Sequence, residues 1–195
     1  MDRFRMERDV LVFDTETTGL PRHGRVYLPG SRGWPRVVQA AWILYDGSGR
    51  ECGRQNLLVR PAGFTIPGSA TAIHGITTER ALRDGVALYD ALCAFAHDVA
   101  RAGVVVAHNM GFDQGVVAAE CWREGLPDPF AGKKSVCTML ASGRRPGRNR
   151  RLLSLDDLYR TLFSCEREGA HDAMRDAEAC ARCFFELVRR RDIRI

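Results

Sequence analysis

Hydrophobic positions along the chain change their spacing, and the changes predict the order of strands and helices. Val10 to Phe13 is a short apolar run typical of a buried strand. Val37 to Tyr45 and Asn56 to Arg60 are β-prone segments on either side of an Asp-Gly turn, and they predict a hairpin over 37–60. Residues 21–35 are rich in proline, glycine and arginine, which predicts a loop before the hairpin.

Further along the chain, apolar residues recur every three or four positions, as they do on one face of a helix. Short apolar runs without this spacing separate the helical stretches and are typical of buried strands. The spacing predicts strands at 104–107 and 136–140 and helices at 88–99, 111–124, 154–162 and 172–190. Strands first, and alternating helices and strands afterwards, predict an α/β fold with a mixed five-stranded sheet flanked by helices.

The 195 residues are 45% hydrophobic and 27% charged. This composition fits one globular domain over 1–195, with its core at about 8–190. No run of consecutive apolar residues approaches the roughly 18–20 of a membrane span. The first ten residues carry charges throughout and lack the apolar centre of a secretory signal. We therefore expect a cytoplasmic protein without membrane attachment, and exclude transmembrane, collagen-like and secreted disulfide-knot proteins.

Seven cysteines without regular spacing indicate a reducing compartment rather than a disulfide framework. Most of them stand among apolar residues, so we expect core thiols. Cys180 and Cys183 form a C-x-x-C, but it lies within a helical pattern and no second pair accompanies it. We interpret this pair as packing residues rather than as a zinc or redox site.

Positive charge is concentrated in two segments that contain no acidic residue. The net charge is only +5, but residues 17–45 hold four arginines and no acid, and residues 144–151 hold five arginines. Such segments suit a polyanionic partner such as nucleic acid, or they are solvated loops, and charge alone leaves both interpretations open. We interpret 21–35 and 143–151 as basic loop insertions.

Two carboxylates stand at the end of the first predicted strand. Residues two apart in an extended chain point to the same side, so Asp14 and Glu16 project together. Two negative charges held a few ångströms apart repel each other, so one of the acids must take up a proton or a cation must lie between them. A solvated strand end is the alternative, but a buried strand seldom ends in two acids that have no partner.

Three further candidates stand near the starts of later helices. Asp113 follows the strand at 104–107, where it either joins the first two acids or simply complements the helix dipole. Asp176 heads the apolar face of the last helix and needs a partner, either an arginine or a metal ion. His171 lies five residues before it, and histidine is the side chain that titrates near neutral pH.

Four carboxylates from three separated segments have a common use in holding hard divalent cations such as Mg²⁺ or Mn²⁺. Two such ions about 4 Å apart clamp the attacking and leaving oxygens of a phosphodiester. The basic segments would then hold the rest of the polyanion. The four acids therefore favour a metal-dependent enzyme that acts on nucleic acid.

Three short motifs surround these residues, and they resemble the motifs of the DEDDh class of 3′–5′ exonucleases. That class has an RNase H-like fold and includes the bacterial proofreading epsilon subunit and RNase T. The motifs are D-T-E-T-T-G with Asp14 and Glu16, H-N-M-G-F-D with Asp113, and H-D-A-M-R-D-A with His171 and Asp176. T-A-I-H-G-I-T at 71–77 is similar to another recurring segment of the family. The resemblance covers about residues 8–190 and leaves every catalytic position unsubstituted.

The resemblance implies a phosphodiester hydrolase with two divalent cations, Mg²⁺ or Mn²⁺, that releases nucleoside 5′-monophosphates from a DNA or RNA 3′ end. It assigns Asp14, Glu16 and Asp176 to the tightly held ion, and Asp14 also bridges to a second ion that Asp113 supports. It makes His171 the general base that activates the attacking water. The side chains that it places along the substrate are Thr15, Thr17, Leu20, His74, Asn109 and Phe112.

The two basic insertions depart from the family pattern. The segment 21–35 is longer and more basic than a compact turn, and the second insertion is dominated by arginine. We expect both to grip phosphates upstream of the scissile bond, the second through Arg144, Arg145 and Arg148. If so, their loss should weaken binding of all sequences alike and reduce its dependence on salt.

Some alternatives stay open. Phe112 is as compatible with ordinary core packing as with a substrate contact. The resemblance allows association with a polymerase or repair complex, or a homodimer. It does not choose between DNA and RNA, or between single and double strands. A binding module with vestigial catalysis is the second interpretation of the fold, which the intact acid set disfavours; a serine or cysteine hydrolase lacks its nucleophile motif.

Overall fold

The sheet has five strands, as the sequence predicts. The computed structural model describes residues 8–21, 33–143 and 152–194. The strands are β1 (Val10–Thr17), β2 (Val37–Tyr45), β3 (Glu51–Leu58), β4 (Val104–Ala107) and β5 (Lys134–Cys137). Their spatial order is β3-β2-β1-β4-β5. The strand pairs β1-β2 and β2-β3 are antiparallel, whereas the pairs β1-β4 and β4-β5 are parallel. The predicted mixed sheet is therefore confirmed.

Seven helices in the described ranges flank the sheet. They are α1 (Gly68–His74), α2 (Thr78–Asp84), α3 (Leu88–Arg101), α4 (Met110–Arg123), α5 (Thr138–Ser142), α6 (Leu155–Phe163) and α7 (Ala173–Arg189). Within those ranges, none of the helices has the length and apolar character needed to cross a membrane.

Alternation along β1 sends its side chains into two different cores. Leu11 and Phe13 pack with α3 and α4 on one face of the sheet. Val10 and Val12 pack with α6 and α7 on the other face. The alternation continues to the end of the strand, so its two acids fall on the α7 face and the threonine between them falls on the α4 face.

The start of α7 is fixed to the sheet by side-chain hydrogen bonds. Asp172 caps the helix, because its Oδ1 accepts from the backbone N–H groups of Met174 and Arg175, both at 3.1 Å. Gln39 of β2 donates to Asp172 Oδ2 (3.2 Å) and accepts from the backbone N–H of Ala173 (3.2 Å). The first turn of α7 is thereby held over the end of β1.

Several boundaries differ from those that the sequence predicts. β3 begins at Glu51, five residues early, because this largely exposed strand pairs with β2 through its backbone and shows no hydrophobic pattern. The predicted strand at 136–140 ends at Cys137, and α5 follows it. There the Thr138 hydroxyl lies 2.9 Å from the His108 ring, so a tertiary contact outweighs local β preference. The helices α1 and α2 are not predicted from the hydrophobic pattern, because each is too short to repeat an apolar stripe.

The expectation that most cysteines are core thiols is wrong. Only Cys121, Cys180 and Cys183 are buried in the described structure, and Cys137 is half-buried. The exposed ones are Cys52, Cys93 and Cys165. Cys93 lies on the outer side of α3, Cys52 lies on the exposed strand β3, and Cys165 follows the end of α6, so apolar neighbours in sequence do not bury them. The C-x-x-C pair does pack in the core against α6 and the sheet.

The basic insertions fall mainly outside the described residues. This holds for residues 22–32 and for 144–151, which contain Arg144, Arg145 and Arg148. Their assignment to substrate phosphates stays a prediction, as does the single domain over the whole chain.

Candidate active site

Three carboxylates meet where β1 ends beneath α7. One carboxylate oxygen from each of Asp14, Glu16 and Asp176 lies within 4.8 Å of the others. The first two project from the α7 face of β1, and Asp176 stands in the first turn of α7. Hard divalent cations prefer carboxylate oxygens as ligands, so these three residues could hold such an ion.

The fourth acid approaches from the opposite face of β1. Asp113 stands in the first turn of α4 and is only 3% exposed. Its Oδ1 accepts two hydrogen bonds from Thr15, one from the backbone N–H (3.1 Å) and one from the hydroxyl (2.7 Å). The Thr15 side chain therefore holds Asp113 against the end of β1. Parallel β1 and β4 end at the same edge of the sheet, which is why two segments 98 residues apart meet there.

Burial raises the pKa of all four acids, and repulsion within the cluster adds to the shifts of Asp14, Glu16 and Asp113. Burial raises the pKa of Asp14 well above its usual range, and Asp113, Asp176 and Glu16 raise it further. Burial raises the pKa of Glu16 to about 7, and repulsion from Asp176 contributes to the rise. Burial raises the pKa of Asp113 to about 7 even though its hydrogen bonds from Thr15 oppose the shift. A divalent cation would relieve this repulsion, so the residues fit such a group.

Arg167 is a charged partner of the cluster that sequence reasoning missed. Its side chain is only 7% exposed and donates short hydrogen bonds to Asp176 and to Asp156 of α6. Burial raises the pKa of Asp176, and Arg167 opposes the shift. The sequence predicts that Asp176 has an arginine or a metal ion as its partner, and the structure shows that Arg167 is such a partner. No spacing pattern singles it out, because it lies in the loop between α6 and α7.

His171 lies in the same loop, four residues after Arg167. It is exposed and has a left-handed backbone (φ 65°), directly before the Asp172 cap of α7. Burial raises the pKa of Asp176, and His171 is among the nearby groups that lower it, so the imidazole is close to the cluster. The loop is anchored on one side of His171 by Arg167 and on the other by Asp172.

Thr17 and His74 lie beside each other just past the acids. The Thr17 hydroxyl donates to the Gly19 carbonyl (2.7 Å). His74 Nδ1 accepts from the Ile76 N–H (3.1 Å), which leaves Nε2–H as the donor of the neutral ring. Burial lowers the pKa of His74, while the Thr17 backbone raises it. His74 is therefore a neutral hydrogen-bond donor at this edge of the sheet.

The other residues predicted to contact substrate surround the same edge. Leu20 is 81% exposed, which is unusual for a leucine beside a buried strand end. Asn109 is exposed and has a left-handed backbone (φ 66°) at the start of α4. Phe112 is half-buried and packs against the core, with its ring 6.4 Å from the Trp34 ring. Phe112 therefore serves as core packing whether or not it also contacts substrate.

The raised carboxyl pKa values predict that pH affects the metal-free protein in an unusual direction. From about pH 4 to 7, folded Glu16 and Asp113 retain protons that the unfolded chain has lost, so the free energy of unfolding falls as the pH rises. A shift from 4.5 to about 7 corresponds to about 3 kcal/mol. We expect a higher Tm at about pH 5.5 than at about pH 8 in EDTA, and a larger rise on adding Mn²⁺ at the higher pH.

A thermal melt at both pH values measures this effect, with Glu16→Gln as the matched variant. The glutamine variant should lose part of the pH dependence because it removes one titrating group. A metal-free Tm that rises steadily from about pH 5.5 to 8 would contradict the prediction.

A family model and individual relatives both relate this chain to exonucleases. A sequence model of the exonuclease family RNase_T matches residues 11–184. A DNA polymerase III subunit epsilon-like protein of Rhodobacter capsulatus is 33% identical over 184 residues, which are 91% of this chain and 23% of that protein. Ribonuclease T of Salmonella choleraesuis is 29% identical over 199 residues, covering 97% of this chain and 88% of that protein.

Solved structures with the same fold include E. coli exonuclease I. Its complex with a dT13 oligonucleotide has a TM-score of 0.72 and 21% identity, over 94% of this chain and 41% of that one. The zinc-bound form of its complex with single-stranded DNA has a TM-score of 0.74 and 22% identity, over 95% and 41%. The chain thus spans less than half of exonuclease I and about a quarter of the epsilon-like protein. The predicted RNase H-like fold is confirmed.

Proposed function

The chain belongs to the RNase_T exonuclease family, and we propose that it is a metal-dependent 3′–5′ exonuclease that releases nucleoside 5′-monophosphates. The observation that carries the proposal is the meeting of Asp14, Glu16 and Asp176 within 4.8 Å, at the motif positions of the family. Clustered carboxyls with raised pKa values are typical of functional sites, where burial and neighbouring like charges shift the titration of the acids.

The acids would hold two divalent cations, Mg²⁺ or Mn²⁺. Asp14, Glu16 and Asp176 would hold the first, and Asp14 and Asp113 would contribute to the second. The bound ions supply stabilisation of the negative charge that develops on the phosphate and on the leaving oxygen. Thr15 fixes the orientation of Asp113, and Arg167 fixes that of Asp176, so neither carboxylate has to be ordered when substrate arrives.

His171 would act as the general base. It takes a proton from the attacking water, whose oxygen forms a bond to the phosphorus of the terminal nucleotide. The bond from that phosphorus to the 3′ oxygen of the preceding nucleotide breaks, and the 3′ oxygen takes a proton from solvent. The products are a new 3′-hydroxyl and a free nucleoside 5′-monophosphate. An imidazole suits this role because its usual pKa is close to neutral pH.

The residues around the carboxylates would hold the terminal nucleotide. His74 lies at this edge beside the Thr17 backbone, and the exposed Leu20 offers an apolar surface for a sugar or base. The further contacts that we propose are Thr17, Asn109 and Phe112. The solved complexes of exonuclease I with oligonucleotides support nucleic acid as the substrate, and the epsilon-like relative supports association with a polymerase.

Digestion of 5′-labelled oligonucleotides tests the proposal. Matched single-stranded DNA, duplex DNA and RNA are incubated with Mg²⁺, with Mn²⁺ or with EDTA. We expect labelled products that shorten one nucleotide at a time from the 3′ end, only when a divalent cation is present, because the carboxylate cluster needs it. The comparison of the three substrates also reports sugar and strand preference.

Two outcomes would contradict the proposed function. Binding of nucleic acid without cleavage in either metal would favour a binding module on this fold. Immediate release of a labelled mononucleotide, or of internal fragments, would indicate attack at the 5′ end or within the strand.

A further inference from the structure

A cleft of about 490 Å³ opens at the end of β1 and is separate from the carboxylates. Its volume lies within the range of about 300–1,000 Å³ that is typical of small-molecule sites. We call it the Phe64 cleft. Its main lining residues are Thr18, Leu20, Trp34, Arg36, Phe64 and Arg123.

The wall of the Phe64 cleft carries an excess positive charge. Glu120 is fully buried and accepts from Arg36 Nε (2.9 Å) and from the backbone N–H of Val37 (2.9 Å). Arg123 pairs with the other oxygen of the same carboxylate at 3.1 Å. Two guanidinium groups thus share one carboxylate, so this group of three side chains keeps one positive charge beside the cleft. An anionic ligand such as a phosphate would complement it.

Flat apolar surfaces stand next to this charge. The Arg36 guanidinium lies over the Phe64 ring, 4.5 Å from its centroid. The Trp34 ring is packed on α4 at Gly115, where an added Cβ would come within 2.3 Å of it, so the glycine is required for this placement. Aromatic rings combined with arginine are the means by which proteins bind unpaired bases and their backbone.

The Phe64 cleft shares two walls with the candidate active site. Thr18 comes two residues after Glu16 and forms two hydrogen bonds with the backbone of Arg36. The Thr18 N–H donates to the Arg36 carbonyl (3.0 Å), and the Thr18 hydroxyl accepts from the Arg36 N–H (3.0 Å). On the other side, the Trp34 ring contacts Phe112, which directly precedes Asp113. A strand whose end lies on the carboxylates therefore has this cleft beside it.

We propose that the Phe64 cleft binds the base and phosphate of an unpaired nucleotide upstream of the one being released. The inference rests on the proposed function, and it adds a requirement for an unpaired strand next to the 3′ end. A base that is paired in a duplex cannot enter the cleft, so the enzyme should act on single strands and overhangs in preference to blunt duplexes.

A comparison of a long and a minimal substrate tests the inference. The long substrates are single-stranded DNA and RNA oligonucleotides, and the minimal one is the p-nitrophenyl ester of thymidine 5′-monophosphate, which has no upstream nucleotide. In Phe64→Ala we expect kcat/KM for the oligonucleotides to fall about 10-fold more than kcat/KM for the ester, mainly through KM, because one stacking contact is lost. Phe64→Trp should restore the oligonucleotide rate, and Leu82→Ala, at another exposed apolar side chain (50% exposed), is the matched control.

Equal losses on both substrates, or a loss on neither, would overturn the inference. A wild-type protein that cleaves no substrate would instead refute the proposed function, so the two failures are distinguishable. If Phe64→Ala does not fold, or if the ester is not cleaved, the fluorescence of Trp34 tests whether the cleft binds a nucleotide. In an Asp14→Asn, Trp122→Phe background the remaining tryptophans are Trp34 and the fully buried Trp42. A single-stranded tetranucleotide should quench the part of the emission that Trp34→Phe removes, and no change in that part under saturating binding would overturn the inference.

Discussion

Replacing Asp14 by asparagine is expected to lower the exonuclease rate at least about 1,000-fold and to raise the Tm of the metal-free protein. The rate falls because Asp14 is the acid that joins both proposed ion positions, and about 1,000-fold corresponds to about 4 kcal/mol of transition-state stabilisation. The Tm rises because burial and three neighbouring acids make the Asp14 charge unfavourable in the absence of a cation. The digestion assay and a melt in EDTA measure the two effects.

His171→Gln is the informative companion of Asp14→Asn. It removes the proposed base and should cost about 100- to 10,000-fold in rate, but it leaves the carboxylates in place. Calorimetric titration with Mn²⁺ should therefore show binding to His171→Gln and none, or much weaker binding, to Asp14→Asn. Retention of more than a tenth of the rate in Asp14→Asn, or loss of Mn²⁺ binding in His171→Gln, would contradict these assignments.

The carboxylate cluster follows from the sequence because it depends on two local rules. Alternation along an extended chain puts Asp14 and Glu16 on one face, and the carboxyl ends of parallel strands share one edge of the sheet. The helical stripe of α7 then places Asp176 at the top of its apolar face, over the same strand. Alternation and the helical stripe each act within a single element, and the shared edge requires only that β1 and β4 run parallel, so the sequence predicts the cluster.

The partners of these acids do not follow from local rules. Thr15 binds Asp113, although 98 residues separate them, and this pairing exists only after β1 and α4 have packed together. The family resemblance places Thr15 along the substrate, which stays a prediction, and no local pattern indicates its contact with Asp113. Arg167 belongs to a loop without periodicity, and its buried position depends on how α6 and α7 pack against each other.

The Phe64 cleft illustrates the same limit for binding surfaces. Trp34 lies at the edge of a segment that reads as a loop, and Phe64 lies in a stretch where no element was predicted. What brings them together is a buried charge group around Glu120, which tertiary packing creates. Composition indicated basic segments suited to a polyanion, but it could not indicate which arginine would stand next to an aromatic ring.

The buried bridge made by Arg167 should contribute strongly to stability. In Arg167→Met we expect a free energy of unfolding that is lower by about 3 kcal/mol in EDTA, because a carboxylate buried beside other acids loses its cation. For a protein of this size that is a fall in Tm of about 6–12 °C. The matched control is Arg160→Met. Arg160 is half-exposed and pairs with Asp157 and Glu166, so its loss should cost less than about 1 kcal/mol.

Melting in Mn²⁺ separates two explanations of that loss. If Arg167 stabilises the protein by offsetting the charge of the cluster, a bound cation supplies part of the same effect, and the difference between Arg167→Met and wild type should shrink in Mn²⁺. If Arg167 only fills space between α6 and α7, the difference should be the same in Mn²⁺ and in EDTA. Because Arg167 also anchors the loop of His171, we expect kcat to fall even when Mn²⁺ restores stability. A variant with restored Tm and full kcat would show that the loop positions its histidine without this arginine.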